Sequence, residues 1–181
     1  MNWARRAGLA LATGALLAGC AGQQQAPPAS APTTGPAPAT TSARPVPKEL
    51  AFEATTVDGK PFSGASLLGR PAVLWFWAPW CPVCRQEAPE IAELFTRYGD
   101  RVQFVGVPGL DQVPEMRAFA ERMRLSGFPH VVDRDGSLWT RFGVPGQPAF
   151  AWVHKDGRIE VTTAAVPKDI VAEKLDELLG E

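Results

Sequence analysis

Apolar and polar residues follow several distinct periods along the chain, and each period predicts a secondary-structure element. An unbroken apolar run over residues 72–80 predicts a fully buried strand that ends in a turn. Directly after it, residues 85–98 carry apolar side chains at the spacing of one helix face. A buried strand therefore leads into an amphipathic helix, and residues 81–84 lie where the two elements meet.

The rest of residues 48–181 continues the alternation of strands and helices. Two strand–helix units followed by a hairpin and a final helix predict an α/β fold, in which helices cover both faces of a mixed sheet. The other predicted strands are 50–56, 102–107, 131–132 and the hairpin 149–154 with 158–163, and the other predicted helices are 66–70, 114–125, 138–142 and 167–179, the last with Ile170, Val171, Leu175, Leu178 and Leu179 towards the core.

The junction between strand and helix has the sequence Cys81-Pro82-Val83-Cys84. Unpaired backbone N–H groups and the positive end of the helix dipole gather at a helix start, where they favour a thiolate over a thiol. Pro82 fits the first turn, where its missing N–H costs nothing. We therefore predict a redox-active dithiol that can close a small disulfide, with Cys81 exposed and the pKa of its thiol lowered.

The N-terminal 47 residues differ in composition from the rest. Arg5 and Arg6 precede an apolar run over residues 7–18 that is too short to span a membrane. The run ends at Cys20 in a pattern that resembles a bacterial lipoprotein signal, which implies cleavage after residue 19 and a lipid on Cys20. The alternative is an ordinary secretory signal with an unmodified cysteine. Residues 20–47, rich in Pro, Ala and Thr, predict a flexible tether, and residues 48–181 one folded domain.

Charge and location restrict the possible partners. The chain has 18 basic and 19 acidic residues and no basic block, so we expect no nucleic-acid partner. A lipid on Cys20 would anchor the protein to the bacterial cell membrane on its extracytoplasmic side. In an oxidising compartment of that kind a dithiol can act on secreted proteins.

Three segments in a fixed order resemble one known family. They are the block from Trp75 to Cys84, the segment Glu87-Ala88-Pro89, and Val144-Pro145-Gly146-Gln147-Pro148-Ala149-Phe150, in which Pro148 stands 64 positions after Cys84. Together they are similar to the extracytoplasmic TlpA/ResA/DsbE group of thioredoxin-fold thiol–disulfide oxidoreductases. The resemblance implies a thioredoxin-like fold in which a cis-proline loop faces the N-terminus of the helix that carries the two cysteines.

The resemblance also implies the catalytic residues. Cys81 would be the attacking or attacked sulfur and Cys84 its partner, while Glu87 would relay protons to or from Cys84. A solvent-facing Glu87 without a catalytic role remains open. Cytoplasmic thioredoxins carry a buried aspartate six residues before the first cysteine, and Trp75 occupies that position here. We interpret Trp75 and Trp77 as core residues of the strand.

A second set of residues would bind the substrate polypeptide. Trp80 is expected to cover the disulfide, and Pro82 and Val83 lie between the cysteines. Pro148, if cis, would turn the chain beside the dithiol. The backbone of Gln147 would then be free to pair with an extended substrate, a mode of binding that tolerates many sequences.

The expected function is that of an oxidase or isomerase for secreted proteins. Its partners would be secreted or membrane proteins with thiols or disulfides, and a membrane redox protein that resets the dithiol. A reductase of apocytochrome c thiols is the alternative within the same chemistry, because reduction potential decides the direction. A lipid-anchored binding module is the alternative of another class.

We predict no cofactor and no metal site. A zinc site needs about four ligands, and beyond the two cysteines only His130 and His154 offer nitrogen ligands, without metal-pair spacing. Both histidines are interpreted as surface or turn residues. A thiol peroxidase would carry a hydroxyl residue three positions before its reactive cysteine, and Ala78 stands there.

Overall fold

Four helices and six strands make up the computed structural model of the protein, which describes residues 45–181. The predicted signal segment, Cys20 and most of the predicted tether lie outside the described residues. In chain order the elements are β1 (Glu53–Thr55), β2 (Pro61–Ser63), a short 3₁₀ helix (Gly64–Leu67), β3 (Ala72–Trp77), α1 (Pro82–Tyr98), β4 (Gln103–Pro108), α2 (Val113–Arg122), α3 (Ser137–Arg141), β5 (Ala149–Val153), β6 (Ile159–Thr162) and α4 (Lys168–Leu179).

The central sheet has four strands in the order β4-β3-β5-β6. Strand β3 runs parallel to β4 and antiparallel to β5, and β5 runs antiparallel to β6. Every residue of β3 is buried, as its unbroken apolar run predicts for the middle of a covered sheet. Strands β1 and β2 form a separate antiparallel pair.

Successive side chains of β3 point to opposite faces of the sheet, and both faces are covered. On one face Trp75 contacts Glu87 of α1, and the ring of Trp77 stacks on Phe119 of α2 at 4.5 Å between centroids. On the other face Phe76 packs edge-on against Trp139 of α3. The predicted mixed sheet with helices on both faces is confirmed.

Most predicted elements are present, with shifts of a few residues at their ends. The prediction of a strand at 131–132 is wrong. Val131 makes only an isolated bridge to Thr56. In the same way His130 bridges to Gly106 of β4, and Asp133 to Gly109 directly after β4. This segment therefore runs along the edge of β4 and links it to β1, but it is too irregular to form a ladder. No helix among residues 45–181 has the length and the apolar run that crossing a membrane requires.

The predicted core face of the last helix needs one correction. Val171, Leu175 and Leu178 of α4 are buried, while Ile170 is exposed. The three buried residues are four and three positions apart and share one side of the helix. Ile170 directly precedes Val171 and is rotated away from that side by about 100°.

Candidate active site

The two cysteines form a disulfide at the start of α1. Cys81 is the N-cap residue, Pro82 is the first helical residue, and the Cα atoms of the cysteines lie 5.3 Å apart. The backbone N–H of Cys84 donates a hydrogen bond to the Sγ of Cys81 at 3.1 Å. The N–H of Cys81 donates to the carbonyl of Ala78, which closes the turn between β3 and α1. The turn therefore places the sulfur of Cys81 at the unpaired amides of the helix start.

The expected exposure of Cys81 is wrong for this disulfide form. Cys81 is 3% exposed and Cys84 is fully buried. The reason is that the Cys81 sulfur faces the helix start, where it accepts the Cys84 amide and bonds to the buried Cys84 sulfur. The residues around the disulfide are exposed instead, with Trp80 at 52% and Val83 at 40%. The small accessible surface of the pair belongs to Cys81 alone.

Pro148 reaches the same end of the sheet as the disulfide. Ala149, the first residue of β5, lies opposite Phe76 of β3, so the residue before it lies level with the end of β3. The peptide bond between Gln147 and Pro148 is cis. Pro148 is buried and Gln147 is half-buried. The antiparallel register thus brings a cis-proline loop to the sheet edge from which α1 begins.

Glu87 is buried on α1, one turn after Cys84, and the solvent-facing alternative does not hold. Residues three apart on a helix share one face. Oε2 of Glu87 accepts a hydrogen bond from the indole Nε1–H of Trp75 at 3.0 Å, and Oε1 has no hydrogen-bond partner within residues 45–181.

Burial raises the pKa of the Glu87 carboxyl, and the charge of Glu90 adds to the rise. The hydrogen bond from Trp75 opposes this rise in the pKa of Glu87. The backbone of Val166 opposes the rise to a smaller degree, although it lies outside hydrogen-bond geometry. The site therefore contains a buried carboxyl group that favours its protonated form, one helical turn from Cys84.

Sequence reasoning missed two residues of the site. Trp75 was interpreted as a core residue, although its position six residues before Cys81 already marked it as the neighbour of the active-site helix. Leu110 had no sequence signal at all. It follows β4, and its carbonyl accepts the indole N–H of Trp80 at 3.4 Å. Only the packing of the β4–α2 loop against the turn after β3 brings Leu110 next to Trp80.

The interpretation as a surface or turn residue is wrong for His130, whereas His154 does stand at the turn of the β5–β6 hairpin, where its carbonyl accepts the N–H of Gly157. His130 is buried because its segment pairs with β4, and its Nε2 hydrogen-bonds the carbonyl of Leu125 at 2.9 Å. His154 is buried at the end of β5, where it contacts Arg158 and Glu160. Within residues 45–181 no group of three metal-ligating side chains converges on one point.

The fold and the disulfide define the class of this protein, a thiol–disulfide oxidoreductase with a thioredoxin-like fold. A mixed sheet ends at a cysteine pair on a helix N-terminus, and a cis-proline loop lies at the same sheet end. The sequence model of the AhpC/TSA family matches residues 45–164, and the chain belongs to that family.

Known relatives give the same class. The soluble secreted antigen MPT53 of Mycobacterium tuberculosis (strain H37Rv) is 43% identical over 133 residues, which are 74% of this chain and 73% of that protein. The structure of MTB dsbF in its mixed oxidized and reduced forms superposes with a TM-score of 0.72 at 46% identity, covering 74% of this chain and 99% of that one.

A third relative is the crystal structure of a secreted Mycobacterium tuberculosis disulfide oxidoreductase homologous to E. coli DsbE. It superposes with a TM-score of 0.67 at 40% identity, covering 71% of this chain and 97% of that chain. The chain is therefore a thiol–disulfide oxidoreductase of the DsbE/DsbF type.

Proposed function

We propose that this protein acts outside the cytoplasm as an oxidase or isomerase that forms disulfides in secreted proteins. The observation that carries the proposal is the Cys81–Cys84 disulfide at a helix N-terminus, at the sheet end where the cis Pro148 lies. The names of two similar proteins, one a secreted antigen and one a secreted disulfide oxidoreductase, support the location.

The reaction begins at the sulfur of Cys81, since the accessible surface of the pair belongs to it. A substrate thiolate attacks Cys81, the bond to Cys84 breaks, and Cys84 leaves as a thiolate while a mixed disulfide forms. The second substrate thiolate then attacks its partner sulfur and expels Cys81. The substrate loses two electrons and gains a disulfide, and the protein gains two electrons as a dithiol.

Glu87 has a position suited to proton transfer at Cys84. The departing Cys84 sulfur needs a proton, and a buried carboxyl whose pKa is raised holds one at a pH where an ordinary carboxyl is ionised. Trp75 orients that carboxyl through its indole N–H. Replacing Glu87 by Gln should remove the carboxyl-dependent limb from the pH profile of exchange, while a role in packing alone would leave the profile's shape unchanged.

The substrate polypeptide would lie across Trp80, Pro82 and Val83, which are exposed around the disulfide. The backbone of Gln147, next to the cis Pro148, would pair with the main chain of the substrate. Recognition of main chain would suit an enzyme that acts on many secreted proteins.

The membrane attachment is proposed from the sequence. Residues 1–19 would be removed as a signal, a lipid on Cys20 would hold the protein at the membrane, residues 20–47 would be the tether, and residues 48–181 the catalytic domain. A membrane redox protein would return the dithiol to its disulfide. Cys20→Ser should release the protein from the membrane fraction, and mass spectrometry of the N-terminus should find no lipid. An unmodified Cys20 in the wild type would refute the anchor.

The decisive experiment for the function traps mixed disulfides in cells. Cys84→Ala should accumulate covalent adducts with secreted proteins on Cys81, and the matched Cys81→Ser variant should accumulate none. A reduction potential measured against glutathione then gives the direction. A value near that of thioredoxin, about −270 mV, would contradict the oxidase and favour the reductase. Equal refolding activity of wild type and Cys81→Ser would favour a binding module.

A further inference from the structure

Two exposed apolar residues, Trp80 and Val83, adjoin the cysteines in the sequence, and a third exposed apolar residue, Leu110, comes from a distant part of the chain. Trp80 and Val83 belong to the cysteine block itself. Leu110, in the loop between β4 and α2, is 47% exposed and is joined to Trp80 by the hydrogen bond from the indole to its carbonyl. Leu110 therefore adds, next to Trp80, an exposed apolar side chain that the cysteine block does not supply.

The backbone of Leu110 has a left-handed conformation, with φ at 58°. This conformation is unfavourable for a bulky residue and is normal for glycine. Two hydrogen bonds hold the loop there, from the N–H of Leu110 to the carbonyl of Asp133 and from the N–H of Gly109 to the carbonyl of Trp77. The side chain lies over Gly136, where a Cβ would come within 3.2 Å of a Leu110 methyl.

An unfavourable conformation of this kind persists only where the surroundings hold it, and such residues cluster at functional sites. Glycine at position 110 would keep the carbonyl that accepts the Trp80 indole and would remove the unfavourable contact of a Cβ. A half-exposed leucine side chain adds little to a core. The leucine side chain at this position therefore has a use outside stability.

Two grooves flank the pair formed by Leu110 and Trp80. Leu110 borders a groove of about 880 Å³ that continues along β1 and Asp133. Trp80 borders a second groove of about 540 Å³ beside Pro114. Asp111 lines both grooves. An extended polypeptide that reaches the Cys81 sulfur over Trp80 would meet the Leu110 side chain before it enters the larger groove.

We propose that Leu110 determines substrate specificity, by receiving with Trp80 an apolar side chain that neighbours the reacting cysteine of an unfolded substrate. The proposal rests on the oxidase or isomerase function given above and names the chemistry of its substrate. The leucine methyl groups and the indole face exclude water from that apolar side chain, so a substrate with a polar residue at the same place reacts more slowly.

The experiment uses the full-length oxidised protein and two reduced dithiol peptides that differ only in a Leu or a Ser next to the first cysteine. Dithiothreitol serves as a small reductant without side chains. The variants are Leu110→Gly, Leu110→Asn and a control, Arg124→Gly. Arg124 is the other non-glycine residue with φ at 58° among residues 45–181, and it lies in the loop after α2.

The wild type should oxidise the Leu peptide about tenfold faster than the Ser peptide, the lower end of what an apolar pocket discriminates. Leu110→Gly and Leu110→Asn should bring this ratio close to one, because the Leu peptide slows to the rate of the Ser peptide. Their thermal midpoints should not fall, because both residues tolerate the left-handed conformation. Arg124→Gly should keep the wild-type ratio.

The proposal is overturned if the wild type shows no preference, or if Leu110→Gly retains it. It is equally overturned if Leu110→Gly slows dithiothreitol as much as the peptides, because Leu110 would then act on the disulfide itself. A wild type that reacts with dithiothreitol and with neither peptide would refute the proposed function, and this inference with it.

Discussion

Replacing Glu87 by Gln tests the buried carboxyl through the stability of the fold. Glu87 is 8% exposed, one oxygen of its carboxyl accepts a hydrogen bond from Trp75, and the other oxygen has no partner among residues 45–181. Because burial raises its pKa above the usual 4.5, the native state binds this proton more tightly than the unfolded chain does. Its contribution to stability is therefore fully present below pH 4.5 and is lost as the pH rises through the folded pKa.

The magnitude follows from linkage. For every pH unit between the usual pKa and the folded pKa, the wild type loses about 1.4 kcal/mol of unfolding free energy through this group. Glutamine does not titrate and loses nothing there. Below pH 4.5 the protonated carboxyl of the wild type and the amide of the glutamine both carry a donor hydrogen without a partner among residues 45–181, so the two proteins should have similar stability there. The variant should become the more stable of the two as the pH rises.

Urea unfolding of both oxidised proteins, followed by circular dichroism at one-unit steps from pH 4 to pH 8, measures this difference. Trp75→Phe removes the indole donor and should extend the loss to higher pH in the wild-type background, because that donor lowers the pKa of the carboxyl. Glu121→Gln, at an exposed position on α2, is the matched control. A difference between Glu87→Gln and wild type that stays constant over the whole range would refute the buried, proton-holding carboxyl.

Three further predictions concern the scaffold around the site. Burial lowers the pKa of His130 from 6.5 to about 4, so acidification over that interval should cost about 3 kcal/mol of stability, and His130→Gln should abolish that loss in acid titrations of unfolding. Gly106→Ala should destabilise by about 2–3 kcal/mol in urea, because a Cβ there overlaps the His130 ring and comes within 2.9 Å of the Trp77 indole nitrogen. Asp133→Ala should cost about 2 kcal/mol in thermal unfolding, because its carboxylate accepts the first amides of α3 at 3.0 and 2.8 Å.

Two of these predictions have a control variant on the same chain. Gly146→Ala has open space around its Cβ and should be tolerated where Gly106→Ala is not. Asp135→Ala, at an exposed neighbour of Asp133, should destabilise less than Asp133→Ala. An acid titration of wild type without any loss between pH 6.5 and 4 would show that His130 is already protonated in the native state or is reached by water.

Much of the fold could be read from the chain because the signals are local. The apolar run of β3, the helix period of α1 and the turn residues between β5 and β6 act over a few positions, and each element formed where its period predicts. The strand predicted at 131–132 failed for the opposite reason. Two apolar residues are too few to carry a period, and their pairing depends on β4 and Thr56.

The features of the site also fall into those that the local sequence predicts and those that it does not. The spacing of Cys81 and Cys84 on a helix start, with Pro82 in its first turn, predicts a disulfide between them, and the structure contains it. The proline loop was identified by resemblance and by its distance along the chain from Cys84. The exposure of Cys81 was predicted wrongly, because local rules describe a free thiol at a helix start and the bonded sulfur faces inward.

By itself the sequence determined a βα unit with a cysteine pair at its junction, a hairpin and a closing helix, since these depend on neighbours three or four positions apart. The tertiary structure decided which distant side chains meet, Glu87 with Trp75 and Leu110 with Trp80, and that His130 is buried. Such contacts depend on how sheet and helices pack, and packing is a property of the whole fold that no short segment encodes.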